Sequence, residues 1–347
     1  MTVIDWGLAA QAALWTGGDA GDATPLPGDV AATCDEAELR IAAYTGLHPV
    51  APIPAPETVD RPAWVEANLS TMSEILDPVA ERLGDGLGPL GGAARRVGGT
   101  VLGLEAGALT GYLGRKVLGQ YDLRLLAEDP APRLLIVAPN VREAAAALDV
   151  DLARLTQWVC VHEVTHAVQF GAVDWLRPHL AGLLRDLLSA DVKIDALRLP
   201  SLDDLRGVVD AIREGSFVEL VAGPERREQL DRLQAAMALI EGHAELVMDA
   251  VGEQLIGDLS DLRAALERRR NRIRPPLVVW LERLLGLELK LRQYEQGRRF
   301  CDGVIERSDV ATLHLAFAAP ENLPTLAELD DPAAWVERVR QNIRSVL

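Results

Sequence analysis

The HExxH motif at residues 162–166 is the feature that most restricts how this chain folds. Two histidines four residues apart lie on one face of an α-helix, one turn apart, so both imidazoles can reach a common point. Apolar residues on the other faces, such as Leu155 and Phe170, predict a buried helix over 151–170. Burying two imidazoles and a carboxylate without a shared ligand is costly. The motif therefore predicts a long helix that carries a metal site.

The residue types in this motif are those of a hydrolytic zinc site. His162 and His166 are predicted to bind one Zn²⁺, because two imidazoles at this spacing suit a single ion. Glu163 is predicted to be the general base that takes a proton from the water that zinc activates. Such a site has three protein ligands and leaves the fourth position to water. A third ligand must therefore come from another part of the chain.

The segment EGHAE at 241–245 is the candidate for the third ligand. Glu241 and Glu245 share one helical face, whereas His243 lies roughly 200° around the helix from Glu241. In Glu-type zinc proteases, an acid one turn after the ligand Glu orients a ligand histidine. Both Glu241 with Glu245 and Glu245 with Asp249 fit this order. His243 is the remaining alternative for the ligand.

The composition excludes several classes of protein. The 347 residues carry a net charge of −17, which repels phosphate backbones, so no nucleic-acid partner is expected. Cys34, Cys160 and Cys301 are far apart and form no CxxC pair, which argues against a disulfide framework and a cysteine zinc site. The first twenty residues contain no Lys or Arg to begin a secretory signal. We therefore expect a cytoplasmic protein.

A second helix carries glycines at every fourth position. In lipid, this pattern is a seam between membrane helices, whereas in a soluble protein it is a groove for another backbone. The apolar run over 97–114 is barely long enough to cross a bilayer, and Glu105 would lie near its middle. A packed soluble helix is therefore expected, with no membrane partner. The glycines are Gly99, Gly103, Gly107 and Gly111.

The hydrophobic pattern predicts a mostly α fold of the α+β class, with a small β-hairpin or sheet and a long HExxH helix. The hairpin is placed at Asp122–Leu126 and Arg133–Val137. Leu134–Ala138 is either an edge that pairs with a peptide substrate or a covered strand. Residues 1–94 are expected to form a helical region packed on the core, and 95–347 a single compact catalytic region. Further helices are predicted at 60–83, 174–189, 202–213, 226–255, 258–271, 277–300, 309–317 and 332–345.

Several segments resemble the bacterial zincin-like metallopeptidases of type 2, in the order found in that family. The family is catalogued as hydrolases without an established substrate, and some members are labelled as associated with deazaflavin-coenzyme biosynthesis. The resemblance runs from about residue 95 to the C-terminus and implies a zincin-like core with zinc. The segments are LGQYD (118–122), RLLIVAPN (133–140), WVCVHEVTHAVQF (158–170), EGHAE (241–245), RQYEQGRRF (292–300) and ENLPTLAELDDPAAW (321–335).

The resemblance also implies roles for individual residues. The family carries a fixed Glu-Gly followed by a variable acid, which implies Glu241 as the third zinc ligand and Glu245 as the acid that orients a histidine. Tyr294 lies in a family-like motif and is a candidate transition-state or substrate contact. His243 is a second candidate for such a contact.

The predicted function is zinc-dependent hydrolysis of a peptide or amide bond, with a peptide or small amide as substrate. One alternative is a non-catalytic binding or scaffold protein with a zincin fold. Another is a zinc hydrolase of a non-peptide amide. The intact Glu163 favours an enzyme, because a binding protein does not need a general base.

Overall fold

The computed structural model describes residues 3–22, 24–85, 91–127, 131–189, 224–270 and 293–346. Within these ranges the chain is mostly helical, with one three-stranded sheet, as the sequence predicts. The helices are α1 (Trp6–Gly17), α2 (Val30–Thr45), α3 (Arg61–Asp85), α4 (Gly91–Gly114), α5 (Ala138–Leu148), α6 (Leu152–Ala172), α7 (Leu176–Ser189), α8 (Pro224–Ile256), α9 (Ser260–Arg270), α10 (Gln293–Arg307), α11 (Val310–His314), α12 (Leu326–Asp330) and α13 (Pro332–Val346). Two 3₁₀ turns lie at Leu315–Phe317 and Pro320–Asn322.

The sheet consists of β1 (Pro56–Val59), β2 (Gly119–Asp122) and β3 (Arg133–Val137) in the order β1-β3-β2. The central strand β3 pairs with β1 in parallel and with β2 in antiparallel orientation. Strand β1 begins at the last of four prolines between residues 49 and 56, a composition typical of an extended connector. Its pairing with β3 is a long-range contact that local patterns do not indicate.

Alternating side chains of β3 enter two hydrophobic cores. Leu134 and Ile136 pack with apolar residues of α2, α5, α6, α8 and α9. Leu135 and Val137 face the opposite way, into a core formed with α1, α3 and α4. All four residues are fully buried, so helices cover the sheet on both sides of its central strand. This arrangement fixes α6 against one face of the sheet.

The structure corrects one prediction about the sheet and decides between two alternatives for another. The first strand of the hairpin is Gly119–Asp122, not Asp122–Leu126, and it ends before Arg124, whose positive φ of 45° is incompatible with a strand. Of the two alternatives for Leu134–Ala138, the structure shows the covered strand, because β1 and β2 already pair with both sides of β3, and no extended substrate can pair there. The edge strand near α6 is β2.

The glycine face of α4 is a groove that holds α1 and the residues before it. A Cβ at Gly103 would lie 2.6 Å from the carbonyl oxygen of Asp5, and one at Gly107 would lie 2.6 Å from the carbonyl carbon of Ala9. Side chains larger than hydrogen are therefore excluded along this contact. The structure confirms the prediction of a packing groove. Among the helices described here, none is long and apolar enough to cross a membrane.

A third hydrophobic core joins α7, α8 and the helices from α10 to α13. Phe300 of α10 and Trp335 of α13 are fully buried there, with ring centroids 5.3 Å apart. The long helix α8 contributes to this core and to the core around α6, because different faces of it pack against each. The helix predicted at 202–213 and the first part of that predicted at 277–300 lie outside the described residues. The boundary between 94 and 95 falls within α4, and the domain division stays a prediction.

We expect Gly107→Ala to destabilise the fold by roughly 1–3 kcal/mol, because the added methyl group overlaps the backbone of α1. Gly98→Ala is the matched control, since Gly98 lies on the same helix with nothing within 4 Å of its Cβ position. The control is expected to gain ~0.5–1 kcal/mol from helix propensity. Urea denaturation measures both values, and equal stability of the two variants would contradict the packing account.

Candidate metal centre

Helix α6 places both histidines of the HExxH motif beside the sheet. It begins after Asp151, whose side chain caps the helix by accepting a hydrogen bond of 2.9 Å from the Arg154 backbone nitrogen. It then runs for 21 residues without a break. His162 and His166 therefore lie one turn apart, with ring centroids 4.8 Å apart and ring planes at 89°. The Trp158 ring stacks on His162 with its centroid 5.4 Å away.

Helix α8 brings Glu241 to the two histidines because its backbone packs closely against α10. A Cβ at Gly242 would lie 2.6 Å from the backbone nitrogen of Arg298, and one at Gly297 would lie 2.6 Å from the carbonyl carbon of Ala238. Both positions therefore require glycine. The glycines of EGHAE and RQYEQGRRF thus belong to one contact between α8 and α10. This contact holds the backbone next to Glu241.

The ligand atoms of His162, His166 and Glu241 all lie within 4.8 Å of one another. Nε2 of His166 is 3.7 Å from Oε2 of Glu241, and these two side chains are 12% and 19% exposed. Ligand atoms around a tetrahedral zinc ion with bonds of ~2.0–2.1 Å are roughly 3.4 Å apart. Small side-chain shifts would bring the three ligand atoms to this separation. Two imidazoles and one carboxylate form the donor set of many hydrolytic zinc sites. The side chains in this cluster therefore fit a zinc ion.

Glu163 lies in a buried position between α6 and the edge strand. Its Oε2 accepts a hydrogen bond of 2.8 Å from the backbone nitrogen of Tyr121 in β2. Burial raises the pKa of Glu163 to about 7; the nearby His166 and the Tyr121 hydrogen bond oppose this rise, and Glu241 adds to it. Gly119 makes the position possible, since a Cβ there would lie 2.8 Å from Cγ of Glu163. A carboxyl with this pKa suits proton transfer at neutral pH.

Gln169 is a buried residue at the site that the sequence analysis missed. Its Oε1 lies 2.9 Å from Nδ1 of His166. Its Nε2 donates to the carbonyl oxygen of Ile240 at 3.0 Å and lies 2.9 Å from Nδ1 of His243. The signal was available, because a polar residue three positions after His166 lies on the same helical face. One side chain thus links α6 to the segment that contains Glu241.

His243 does not reach the cluster of His162, His166 and Glu241. It is fully buried, and its ring packs against His314 and Phe317 with centroids 5.4 and 4.8 Å away. Burial lowers its pKa to about 3, so the imidazole is neutral. A neutral ring has one nitrogen that accepts a hydrogen bond, which suits the contact with Gln169.

The acids that follow Glu241 on α8 lie in different surroundings. The Asp249 carboxylate forms ion pairs with Arg298 and Arg263. Arg298 also pairs with Asp302 at 2.9 Å and donates to the backbone oxygen of Glu245 at 3.3 Å. These contacts place Arg298 in a structural ion-pair network. Glu245 is half-buried on α8 and lies outside the cluster of three ligand atoms.

Tyr294 lies in the first turn of α10, but its side chain is outside the part of the chain that the structure describes. Its role as a transition-state or substrate contact stays a prediction.

A cavity of about 220 Å³ opens beside the C-terminal half of α6. Ala167 and Phe170 form one wall, and the connector over 50–54 forms another. Tyr121 joins this cavity to the metal centre, because its backbone holds Glu163 while its ring stacks on Phe170 at 6.2 Å. Asp174 and Arg177 add one acidic and one basic residue to the lining.

An HExxH helix beside a carboxylate from a later helix is the arrangement expected of the zincin class. A family model of zincin-like metallopeptidases matches residues 4–336, and the chain belongs to this family. The match begins well before residue 95, so it includes the α1–α4 pair. Membership supports a hydrolase of the metallopeptidase type and implies a bound metal, typically zinc.

A solved structure shares this fold over nearly its whole length. It is the crystal structure of a presumed hydrolase with a novel fold from Chloroflexus aurantiacus, with 28% sequence identity and a TM-score of 0.73. The alignment covers 97% of this chain and 99% of that chain. No curated protein matches the sequence.

Gly119→Ala is expected to destabilise the protein by roughly 1–3 kcal/mol, because its methyl group would lie 2.7 Å from Cγ1 of Val159 and would displace Glu163. Gly182→Ala on α7 is the control, since nothing lies within 4 Å of that Cβ position. Thermal unfolding compares the two variants. If Gly119→Ala melts at the wild-type temperature, β2 does not pack on α6 as described.

Proposed function

We propose that this chain is a zinc-dependent metallopeptidase that cleaves a peptide or amide bond. His162, His166 and Glu241 are the zinc ligands, and Glu163 is the general base. The observation that carries the proposal is the meeting of these three ligand atoms, from two separate helices, within 4.8 Å of one another. Bound zinc supplies a Lewis acid that activates water and polarises the scissile carbonyl.

The environment of Glu163 supports its role in proton transfer. The Tyr121 backbone holds one carboxylate oxygen, which restricts the side chain to one orientation. The other oxygen is available to accept a proton from water and to deliver it to the leaving amine. Glu163 is 8% exposed, so its carboxyl lies in surroundings of low polarity. Proton transfer there depends on the position of the carboxyl relative to the water.

Two observations support Glu241 rather than Glu245 as the third ligand. The carboxylate of Glu241 lies near both histidines, whereas Glu245 is one turn further along α8. In the alternative order, Asp249 would orient a histidine, but its carboxylate pairs with Arg263 and Arg298. Glu245 remains the proposed orienting acid, acting on His162, because Nδ1 of His166 already lies against Gln169.

A peptide substrate fits the family and the position of the cavity. The wall formed by Phe170 and Ala167 is apolar, and Asp174 and Arg177 add charges of both signs to the lining. We propose that one substrate side chain enters this cavity while the scissile bond lies near Glu163. A cavity of about 220 Å³ has room for one side chain and is too small for a folded partner.

Purified protein is expected to bind about one Zn²⁺ per chain, and Glu241→Ala is expected to abolish tight binding because a ligand is lost. Glu245→Ala is the matched variant on the same helix face and is expected to weaken binding by ~10–100-fold. Chelator competition with metal analysis gives both affinities. If zinc binding is lost in Glu245→Ala and kept in Glu241→Ala, the ligand lies one turn further along α8.

Zinc-loaded protein is expected to cleave members of a diverse peptide library, detected as new N-termini by mass spectrometry. Glu163→Gln is expected to keep its zinc and lose ~10²–10⁴-fold in rate, since the amide cannot accept the proton. If the wild type binds peptides but neither the wild type nor Glu163→Gln cleaves them, the chain is a binding or scaffold protein. If cleavage is confined to small non-peptide amides, the alternative hydrolase is correct.

A further inference from the structure

We propose that Gln169 is a positioning residue that fixes the tautomer of His166 and holds the backbone beside Glu241. The proposal rests on the proposed function, because it takes His166 and Glu241 as zinc ligands. It goes beyond that function because it states that one amide group aligns two ligands that lie on different helices. The observations are three contacts of the Gln169 amide, each between 2.9 and 3.0 Å.

The orientation of the Gln169 amide follows from its contact with Ile240. A backbone carbonyl oxygen only accepts hydrogen bonds, so the atom of Gln169 that lies 3.0 Å from it must be the nitrogen. The amide oxygen therefore faces Nδ1 of His166 at 2.9 Å. Gln169 is fully buried, so a reversed amide would bring two oxygens together without water to separate them.

The tautomer of His166 follows from the orientation of the amide. An amide oxygen cannot donate, so Nδ1 of His166 must carry the proton and donate it to Oε1 of Gln169. In the neutral ring, Nε2 then has the free electron pair, and Nε2 is the nitrogen that lies 3.7 Å from Glu241. The ring is thus held in the state that a metal ion requires, before any ion binds.

His243 completes the fixation of the amide. The second N–H of Gln169 lies toward Nδ1 of His243 at 2.9 Å, which therefore acts as an acceptor. With the Ile240 carbonyl oxygen, His243 satisfies both donors of the buried amide. The geometry thus makes His243 the support for Gln169.

The bond to Ile240 extends the effect of Gln169 to the third ligand. Ile240 precedes Glu241 in α8, so the hydrogen bond holds the backbone one residue from the carboxylate. The same amide acts on His166 of α6 through its other end. Gln169 therefore sets the distance between two ligands, as well as the proton position on one of them.

The test measures the His166 tautomer and zinc affinity separately. Long-range ¹H–¹⁵N NMR of metal-free protein, at mildly alkaline pH where free imidazoles are neutral, identifies the protonated ring nitrogen. His166→Asn assigns the signals. Wild type is expected to show Nδ1–H at His166, and a protonated Nε2 would overturn the proposal even if the protein binds zinc and cleaves peptides. Conversely, failure to bind zinc would refute the proposed function and leave the tautomer result unaffected.

Two substitutions separate positioning from space filling. Gln169→Leu removes the oxygen that accepts from Nδ1 of His166. It is expected to lower zinc affinity by ~10–100-fold, and the Nδ1–H tautomer of His166 is no longer held. Gln169→Glu keeps an oxygen facing His166 but loses the N–H donors toward Ile240 and His243. It is therefore expected to preserve the Nδ1–H tautomer and to bind zinc more tightly than Gln169→Leu but more weakly than the wild type. A residue that merely fills space predicts the reverse order, because leucine suits a buried site better than a carboxylate.

Gln157→Leu on the same helix is the matched control for Gln169→Leu. Residue 157 lies roughly 140° around the helix from His162 and about 180° from His166. This variant is expected to keep wild-type zinc affinity and the Nδ1–H tautomer of His166. If it weakens zinc binding as much as Gln169→Leu does, the effect is a general response of α6 and the positioning role is overturned.

Discussion

Close packing at glycine residues is the constraint on which the proposed metal centre depends. Ligand atoms must meet to within a few tenths of an ångström, yet they come from helices far apart in sequence. Gly242 and Gly297 let α8 and α10 touch, which places Glu241, and Gly119 lets α6 touch the edge strand, which places Glu163. A methyl group would separate the backbones of α8 and α10 at Gly242 or Gly297, and at Gly119 it would overlap the side chains of Val159 and Glu163.

The same close packing determines the electrostatics of the centre. Glu163 is desolvated because β2 covers it, and this burial is the largest cause of its raised pKa. Glu241 is nearby and adds to the rise. Two carboxylates and two imidazoles at such short range stabilise a cation between them, since a divalent ion relieves the repulsion between the acids. The arrangement that is costly in the metal-free chain is therefore the one that favours metal binding.

Local patterns were sufficient for part of this structure. The HExxH spacing predicted α6, and the i, i+4 glycines predicted the packing groove of α4, because both depend on the geometry of one helix. The α+β class and the resemblance to zincin-like metallopeptidases are confirmed. The pairing of β1 with β3 was not predictable, since a proline-rich segment becomes a strand only through a long-range contact. The spacing on α6 could have placed Gln169 beside His166, but its link to α8 was not predictable, because its partners Ile240 and His243 lie more than 70 residues away.

The C-terminal helices support the metal centre although they contribute none of its three ligand atoms. The Gln169 amide contacts His243, and the His243 ring contacts His314 and Phe317, so the segment after α10 closes the pocket around that imidazole. Exposure to water would give His243 alternative hydrogen-bond partners and release the second N–H of Gln169. The precision of the proposed metal centre thus depends on the core that surrounds His243 as well as on the helices that carry the ligands.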